Sequence, residues 1–419
     1  MKDLLKEIEM IETSETHSGK INGLERREPN WVLLLLLFLL LIPFFKTSGF
    51  EAVSPGLAGF CNGMLAFEAA AFFILDFSTF RVSAFSWAVL AFEVWDNAIA
   101  PLLSGNQPPS LFYLSGALGI ILLLDLGCRH NFALVLNALS FTFTAFVVLD
   151  FILLLLKPSG LAETSNGIVY LFGVRTGFSL VLIPAIAFCV FDDSVRKRKY
   201  FSRRTMLCMF CSVLTLIFQW VATGIVELLI IFFFYFLIRR SLKFKPNIWA
   251  SFLAAVFLDY AIVYLRIQNI FYGLVVTFLH KDLTLTGRTY IWDAVIREIN
   301  RHPVFGYGAD SSVTVLNVQK ACHNQWLYLT HESGYIGLAL FVFCMLVSFR
   351  AAHRYRKTNL YKIFVAMESA VLIATIAEIQ LYVPFFYVLL CFPLQWKYAG
   401  AIGETSIPAF PHIPVKWRS

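Results

Sequence analysis

Long apolar runs alternate with short basic clusters along most of this chain, and each run predicts one helix. The runs begin at about Trp31 and end at about residue 396. Continuous apolar stretches of this length are typical of helices that cross a bilayer, and we count about twelve. Between the ninth and the tenth, residues 266–333 form a long polar segment. The pattern predicts an all-α polytopic membrane protein with its chemistry in that segment.

The composition excludes an ordinary soluble domain. Of the 419 residues, 58% are hydrophobic, and the mean hydropathy is +0.71, whereas soluble domains are about 45–50% apolar. Lys and Arg concentrate in short clusters between the apolar runs, including six between Arg196 and Arg204. Such clusters mark cytoplasmic loops. The net charge of +7 therefore reflects orientation in a membrane, and it does not indicate a nucleic-acid partner.

The basic clusters all lie on one side of the membrane when both chain ends are placed in the cytoplasm. This orientation divides the chain into five parts. They are a cytoplasmic tail (1–30), helices one to nine (31–265), an extracytoplasmic catalytic loop (266–333), helices ten to twelve (334–396) and a second cytoplasmic tail (397–419). A solvated cap without chemistry is the alternative for the loop, although long ordered loops are more often functional.

Within the loop, apolar residues recur at three- and four-residue spacing after Arg288 and predict a surface helix over Arg288–Arg301. Thr286 is the expected cap, and the following segment HPVFGYG ends the helix. A cation in the first turn opposes the helix dipole. We therefore interpret Arg288 as a ligand for an anion beside the helix. The alternative is a solvated first-turn side chain.

A second helix is predicted to begin at His323-Asn324 and to continue into the tenth span. A histidine at the end of a membrane helix is often only an interfacial hydrogen-bonding group, and that alternative stays open. His331 lies eight residues later, whereas a helical pair of metal ligands needs a spacing of four. The aspartates of the loop are scattered. We therefore predict no bound metal, and we expect no cofactor.

Two motifs in this region resemble one known family. The run of His323-Asn324, nine residues, Gly334, two residues and Gly337 is similar to the H-[NSQ]-x9-G-x-x-G signature of the O-antigen ligase and O-antigen polymerase superfamily. The upstream GRTYIWDAVIREINRHPVFGYG resembles the family's GR-x-x-x-W and P-x-x-G-x-G segment. A weaker match is GVRTGFSLVL, in which Arg175 opens a helix.

The resemblance implies a GT-C-like glycosyltransferase that moves a glycan from an undecaprenyl-diphosphate carrier to an acceptor hydroxyl. It further implies inversion at the anomeric centre without a metal. His323 and Arg288 are the expected catalytic residues. The expected substrate-binding residues are Arg175, Asn324, Gly287 and Trp292.

One departure from the family concerns the turn before the eighth span. Ligases in particular often carry a Ser-Arg or Thr-Arg pair there, but this chain reads VATGIVE, with the turn expected near Thr223–Gly224. The missing arginine favours a polymerase, whose acceptor is another lipid-linked repeat unit. A ligase that uses lipid A–core or a protein as acceptor is the alternative.

A transporter or lipid-linked-glycan flippase is the competing class, because several acidic residues lie in or near the predicted spans. They are Glu68, Asp76, Glu93, Asp150, Glu227, Asp259 and Glu378. We see no repeated halves with broken helices, which transporters tend to show. We expect a bacterial cytoplasmic-membrane enzyme that contacts membrane lipid, with a flippase and a chain-length regulator as further partners.

Overall fold

The structure is a computed structural model that describes most of the chain. It describes residues 31–78, 82–105, 114–164, 167–240, 244–267, 270, 287–308, 311, 313–315, 318–320, 322–400 and 405–410. The predicted N-terminal tail, the expected cap Thr286 and the end of the C-terminal tail lie outside these residues.

Helices make up nearly all of the described structure. They are α1 (Trp31–Leu41), α2 (Ser48–Val53), α3 (Pro55–Ser78), α4 (Ala84–Val94), α5 (Ala100–Ser104), α6 (Leu114–Leu156), α7 (Phe178–Val195), α8 (Arg203–Phe218), α9 (Ala222–Arg240), α10 (Ile248–Val263), α11 (Arg288–Ile299), α12 (Gln325–Arg354), α13 (Asn359–Ala374) and α14 (Phe385–Gln395). A π-helical turn at Trp95–Ile99 joins α4 to α5.

Helical structure occupies each of the twelve predicted spans within the described residues. Helix α6 covers two of them, because Asn131 has a non-helical backbone (φ −154°, ψ 89°). A Cβ on Gly127 would lie 2.8 Å from the side chain of Val135, although eight residues of straight helix extend about 12 Å. The chain therefore folds back at Asn131.

Within the part of the chain that the structure describes, five helices are long and apolar enough to cross a membrane, namely α3, α6, α7, α9 and α12. Helix α10 and the segment Trp31–Phe45 are shorter and also apolar. The protein is accordingly a polytopic helical membrane protein, while the full count of twelve spans stays a prediction. Large apolar side chains such as Phe67, Phe233 and Leu253 are exposed on the outside of the bundle, where lipid would cover them.

Helix α7 forms the centre of the bundle. It is buried along nearly its whole length and packs against α6, α8 and α13. Helix α12 packs against α4, α11 and α14, and α13 packs against α9 and α10. Helices α10 and α12, which precede and follow residues 266–322, therefore both contribute to one continuous core.

One detail of the sequence prediction, the position of a turn, is wrong. The turn between α8 and α9 lies at residues 219–221 and not near Thr223–Gly224. Gly224 instead lies inside α9, where a Cβ would come within 2.5 Å of Leu216 Cδ2, so the glycine permits close packing there. The N-cap of α11 is Gly287, and the expected cap, Thr286, lies outside the described residues.

Short antiparallel strands, which the all-α prediction missed, shape two of the loops. The strands are β1 (Ala162–Thr164), β2 (Gly167–Tyr170), β3 (Gly173–Val174), β4 (Val313–Val315) and β5 (Val318–Lys320). Ala162 pairs with Val169 in the first sheet, and Val313 pairs with Lys320 in the second. The second sheet packs through β4 on α11, so it helps to fix the surface helix on the bundle.

Candidate active site

The centre of the site is the carboxylate of Glu378, which faces two of the predicted residues at once. Arg288 Nη2 donates to Glu378 Oε1 at 2.8 Å. His323 Nδ1 lies 3.8 Å from the other oxygen, Oε2. The Glu378 side chain is 8% exposed, whereas that of His323 is 35% exposed. A buried anion thus joins a guanidinium to an imidazole that remains open to solvent.

Arg288 reaches this position because it is the first residue of α11. The preceding Gly287 has φ +80°, a left-handed conformation that L side chains rarely adopt. Arg288 Nη1 also donates to the carbonyl of Ala377. Arg288 thus has an anionic partner within the protein, Glu378, and its predicted role as a ligand for a substrate anion stays a prediction.

His323 has a left-handed backbone with φ +51°, which is uncommon for a residue other than glycine. Strained residues of this kind cluster at functional sites, where the surrounding structure holds them in place. Asn324 follows in extended conformation and caps α12 by accepting from the amide of Leu327 at 2.9 Å. The strain at His323 is thus located where the chain turns sharply into α12.

The residues after His323 fasten the turn that carries Glu378. The amide of Gln325 donates to the carbonyl of Thr375 at 2.9 Å, and its side-chain oxygen accepts from the amide of Gln380 at the same distance. Trp326 Nε1 donates to Thr375 Oγ1 at 3.0 Å. Glu378 is therefore held against His323 by hydrogen bonds on both sides of it.

Asn324 is fully buried, and its amide nitrogen donates to Asp259 Oδ1 at 2.6 Å and to the carbonyl of Ile376 at 3.1 Å. These contacts and the helix cap are all with protein groups. Asn324 therefore positions His323 and the turn at residues 375–380. Its predicted role in binding substrate stays a prediction.

Trp292 is likewise fully buried and connects α11 to the segment that precedes His323. Its Nε1 donates to the carbonyl of Cys322 at 3.1 Å, and the guanidinium of Arg266 lies 5.7 Å from its ring centre. Burial raises the pKa of the Cys322 thiol, which makes it a poor nucleophile beside the histidine. Trp292 fixes α11, and its contact with substrate also stays a prediction.

A second cluster joins the end of α11 to the start of α12. His331 is nearly buried and its Nε2 lies 2.8 Å from Glu298 Oε2, while its Nδ1 lies 2.9 Å from Ser311 Oγ. The ring of Tyr307 stacks on His331 with centres 4.8 Å apart. Both ring nitrogens of His331 are thus occupied by protein partners, which gives this histidine a structural role.

The glycines of the two sequence motifs allow these motifs to pack on each other. Gly334 has φ +65°, and a Cβ there would lie 2.0 Å from the carbonyl oxygen of Val304. Gly306 has φ +70°, and its Cβ would lie 2.4 Å from the carbonyl oxygen of Glu332. Gly337 approaches Trp95, whose Nε1 donates to the carbonyl of Ser333 at 2.9 Å. The glycines therefore bring backbone segments together rather than two whole helices.

Arg175 is exposed at the start of a 3-10 turn before α7. Its guanidinium forms no hydrogen bond or ion pair with any residue that the structure describes. The described contacts therefore do not connect Arg175 to Arg288, Glu378 or His323. Its expected role as a phosphate ligand stays a prediction.

Sequence reasoning missed Glu378 as a member of the site, although it noted the residue among the acidic groups near spans. A signal was present, because Glu378 falls in the turn between the last two predicted spans. In the predicted topology that turn lies on the same side as residues 266–333. An acidic residue there can meet a loop arginine and a loop histidine.

The arrangement supplies a cation for an anionic group and an imidazole that can accept or donate a proton. Among the residues that the structure describes, no group of three or more His, Cys, Asp and Glu side chains could hold a metal ion. The site is thus suited to reactions in which a hydroxyl loses a proton while a leaving group gains negative charge.

The model of a protein family described as O-antigen ligase matches residues 207–342 of the 419. No curated protein matches the chain. The matched segment contains Arg288 and His323 and ends before Glu378. It confirms the resemblance that the motifs indicated, and it supports a polymerase- or ligase-type role. Over the segment that contains Arg288 and His323, the chain is thereby identified as similar to the O-antigen ligase and O-antigen polymerase superfamily.

Proposed function

We propose that the protein is a glycan polymerase. It transfers a glycan from an undecaprenyl-diphosphate carrier to a hydroxyl of a second lipid-linked repeat unit. The reaction takes place without a metal on the extracytoplasmic side of a bacterial cytoplasmic membrane, and it inverts the anomeric centre. The observation that carries the proposal is the carboxylate of Glu378, which faces both Arg288 and His323.

The chemistry balances with the groups at hand. The acceptor hydroxyl gives its proton to His323 Nε2 while its oxygen forms the new bond to the anomeric carbon. The bond from that carbon to the diphosphate oxygen breaks, and the electron pair leaves with the diphosphate. Glu378 faces Nδ1 at 3.8 Å, which exceeds a hydrogen bond, and a small rotation of the partly exposed ring would close that gap. The carboxylate then stabilises the imidazolium that forms.

Arg288 can serve the leaving group without releasing Glu378. Its described hydrogen bonds use one N–H on each terminal nitrogen, and a guanidinium carries five N–H donors. A diphosphate oxygen placed beside the N-terminus of α11 meets the remaining donors and the positive end of the helix dipole. The growing negative charge is stabilised there as the bond breaks.

A polymerase is preferred over a ligase because the turn before α9 lacks an arginine. The turn itself (219–221) and the start of α9 (222–227) together read QWVATGIVE, and the only charged residue among them is Glu227. Glu227 is 1% exposed, so it does not replace a surface phosphate ligand. In the family that this chain resembles, many ligases carry an arginine at this turn. Its absence here therefore favours a polymerase.

The test is polymer formation by His323→Ala and Arg288→Ala in a strain that lacks the chromosomal copy. Each variant should abolish polymer while it still inserts into the membrane at the normal level. Matched controls are His302→Ala, on the same surface segment, and Arg297→Ala, an exposed arginine of the same helix. Both controls should form polymer of normal length.

The glycans that accumulate in the strain without the gene distinguish a polymerase, a ligase and a flippase. Short lipid-linked units that accumulate on the outer leaflet support a polymerase. Long polymer that stays on its carrier indicates a ligase, and units that remain on the inner leaflet indicate a flippase. Full-length polymer from either active-site variant would contradict the role of that residue.

A further inference from the structure

A basic cleft lies on the opposite side of the proposed topology from His323, at the cytoplasmic end of α12. It has a volume of about 600 Å³, within the range of pockets that hold small ligands. The last turn of α12, the connection to α13 and the first turn of α10 form its walls. Its lining residues are Trp249, Arg350, His353, Arg354, Tyr355, Arg356, Lys357 and Thr358.

The lining carries three arginines and one lysine but no acidic side chain. Within the described part of the chain, none of these four cations forms an ion pair. Arg356 Nη1 lies 3.1 Å from His353 Nε2, which orients that guanidinium beside the cleft. Like charges gathered around one cleft repel each other unless an anion lies between them.

The large basic cluster between α7 and α8 differs from this cleft, because three of its arginines have carboxylate partners. Between α7 and α8, Arg196 Nε lies 2.9 Å from Asp192 Oδ1, and Arg198 Nε lies 3.1 Å from Asp193 Oδ1. Arg204 also pairs with Asp192. Orientation in the membrane needs only positive charge, and that cluster supplies it with buried carboxylates as partners. The cleft at α12 keeps its charge uncompensated.

Two features point to a lipid rather than to a soluble anion. The cleft lies at the end of α12, one of the helices long enough to cross a membrane. Its aromatic residues, Trp249 and Tyr355, are partly buried, and Trp and Tyr are enriched at the level of lipid headgroups. The N-terminus of α13, which Thr358 caps, adds the positive end of a helix dipole.

We propose that this cleft binds the phosphate headgroup of an anionic phospholipid of the inner leaflet. The arginines and the lysine contact the phosphate oxygens, and the aromatic residues pack beside the glycerol and the upper acyl chains. Lipid binding here holds the connection between α12 and α13, which are also the helices that position His323 and Glu378 at their other ends.

The test uses the full-length protein in a neutral detergent and counts retained lipids by native mass spectrometry. Phosphatidylglycerol is the probe, and phosphatidylcholine is the neutral comparison. The wild type should retain one phosphatidylglycerol per chain with at least about tenfold preference. The double variant Arg356→Gln/Lys357→Gln should lose about thirtyfold in affinity, since each basic residue near an anionic surface contributes about 1 kcal/mol and 1.4 kcal/mol is tenfold.

The matched control is Lys199→Gln/Arg203→Gln, which removes one lysine and one arginine from exposed positions of the other cluster. It should change the affinity by less than about threefold. The charge-preserving variant Arg356→Lys/Lys357→Arg should bind nearly as well as the wild type, which separates lost charge from a folding defect.

Two results would overturn the proposal. Equal losses in the two glutamine variants would mean diffuse attraction to the surface and no site. Displacement of the lipid by glycerol 3-phosphate or inorganic phosphate at equal concentration would mean that the ligand is a soluble phosphate.

Discussion

Replacing Glu378 with glutamine tests the central contact of the site with little change in shape. The amide keeps an oxygen that can accept from Arg288 Nη2, which now lies 2.8 Å from the carboxylate. It removes the negative charge that faces both Arg288 and His323. The Arg288 side chain is 18% exposed, so the solvent screens only part of the uncompensated charge that remains.

The magnitude follows from the distances. An imidazolium nitrogen 3.8 Å from Glu378 Oε2 gains about 4 kcal/mol at an effective dielectric constant of about 20. Because the His323 side chain is 35% exposed, screening reduces this gain. We expect kcat to fall by about 10²–10³-fold, which is about 3–4 kcal/mol of barrier. The free energy of unfolding should fall by only about 1–2 kcal/mol, because the hydrogen bond to Arg288 persists.

Initial rates with purified protein and a lipid-linked repeat unit measure this effect. Glu378 acts through His323 and does not contact the substrate itself, so kcat should fall while KM changes little. Glu378→Asp, which keeps the charge on a shorter side chain, should recover part of the rate. Glu368→Gln is the control, since Glu368 is also buried on the adjoining helix α13 and has no described hydrogen-bond partner. A wild-type kcat in Glu378→Gln, or an equal loss in Glu368→Gln, would refute the reasoning.

Two further predictions concern the elements that hold the site. Asn324→Ala removes the cap of α12 and the donor to the partly buried Asp259, so the protein should lose about 2–4 kcal/mol of stability in chemical unfolding in detergent; a loss below about 0.5 kcal/mol would contradict the positioning role. Gly334→Ala places a Cβ 2.0 Å from Val304 O at positive φ and should cost more than about 3 kcal/mol. Gly63→Ala meets open space in α3 and should be neutral or slightly stabilising. Equal losses of stability in Gly334→Ala and Gly63→Ala would contradict the close approach of Gly334 to the Val304 carbonyl.

The sequence predicted the helices well because membrane helices leave a simple signal. Each span needs a continuous apolar run, and each basic cluster marks the end of one apolar run and the start of the next. Arg129 and His130 separate two apolar runs that count as different spans, and the structure folds back beside them, at Asn131. The motifs likewise selected Arg288 and His323, which the structure places around one carboxylate.

The sequence did not predict which partner these residues have. Arg288 and Glu378 are 90 residues apart, and nothing local in the sequence pairs them. The pairing depends on how α11 and the turn after α13 fold over the same end of the bundle, which is a tertiary effect. Asn324 shows the same limit, because its motif position indicated substrate while its buried contacts are with Asp259 and Ile376.

The short strands and the exact turns were missed for a different reason. Strands of two to four residues, such as Gly173–Val174, carry too few side chains for an alternating pattern. A turn was expected near Thr223–Gly224, but Gly224 lies inside α9, where Leu216 packs closely against it. A glycine gives the same local signal for a turn as for a close helix contact.

The central claim is tested most directly by glycosyl transfer with pure components. The assay supplies purified protein with a defined undecaprenyl-diphosphate-linked repeat unit, a metal chelator and no other acceptor. We predict a product lengthened by one repeat unit and an equal molar amount of free undecaprenyl diphosphate, with neither formed by His323→Ala. Absence of product from the wild type, or product that forms only when lipid A–core is added, would contradict the account.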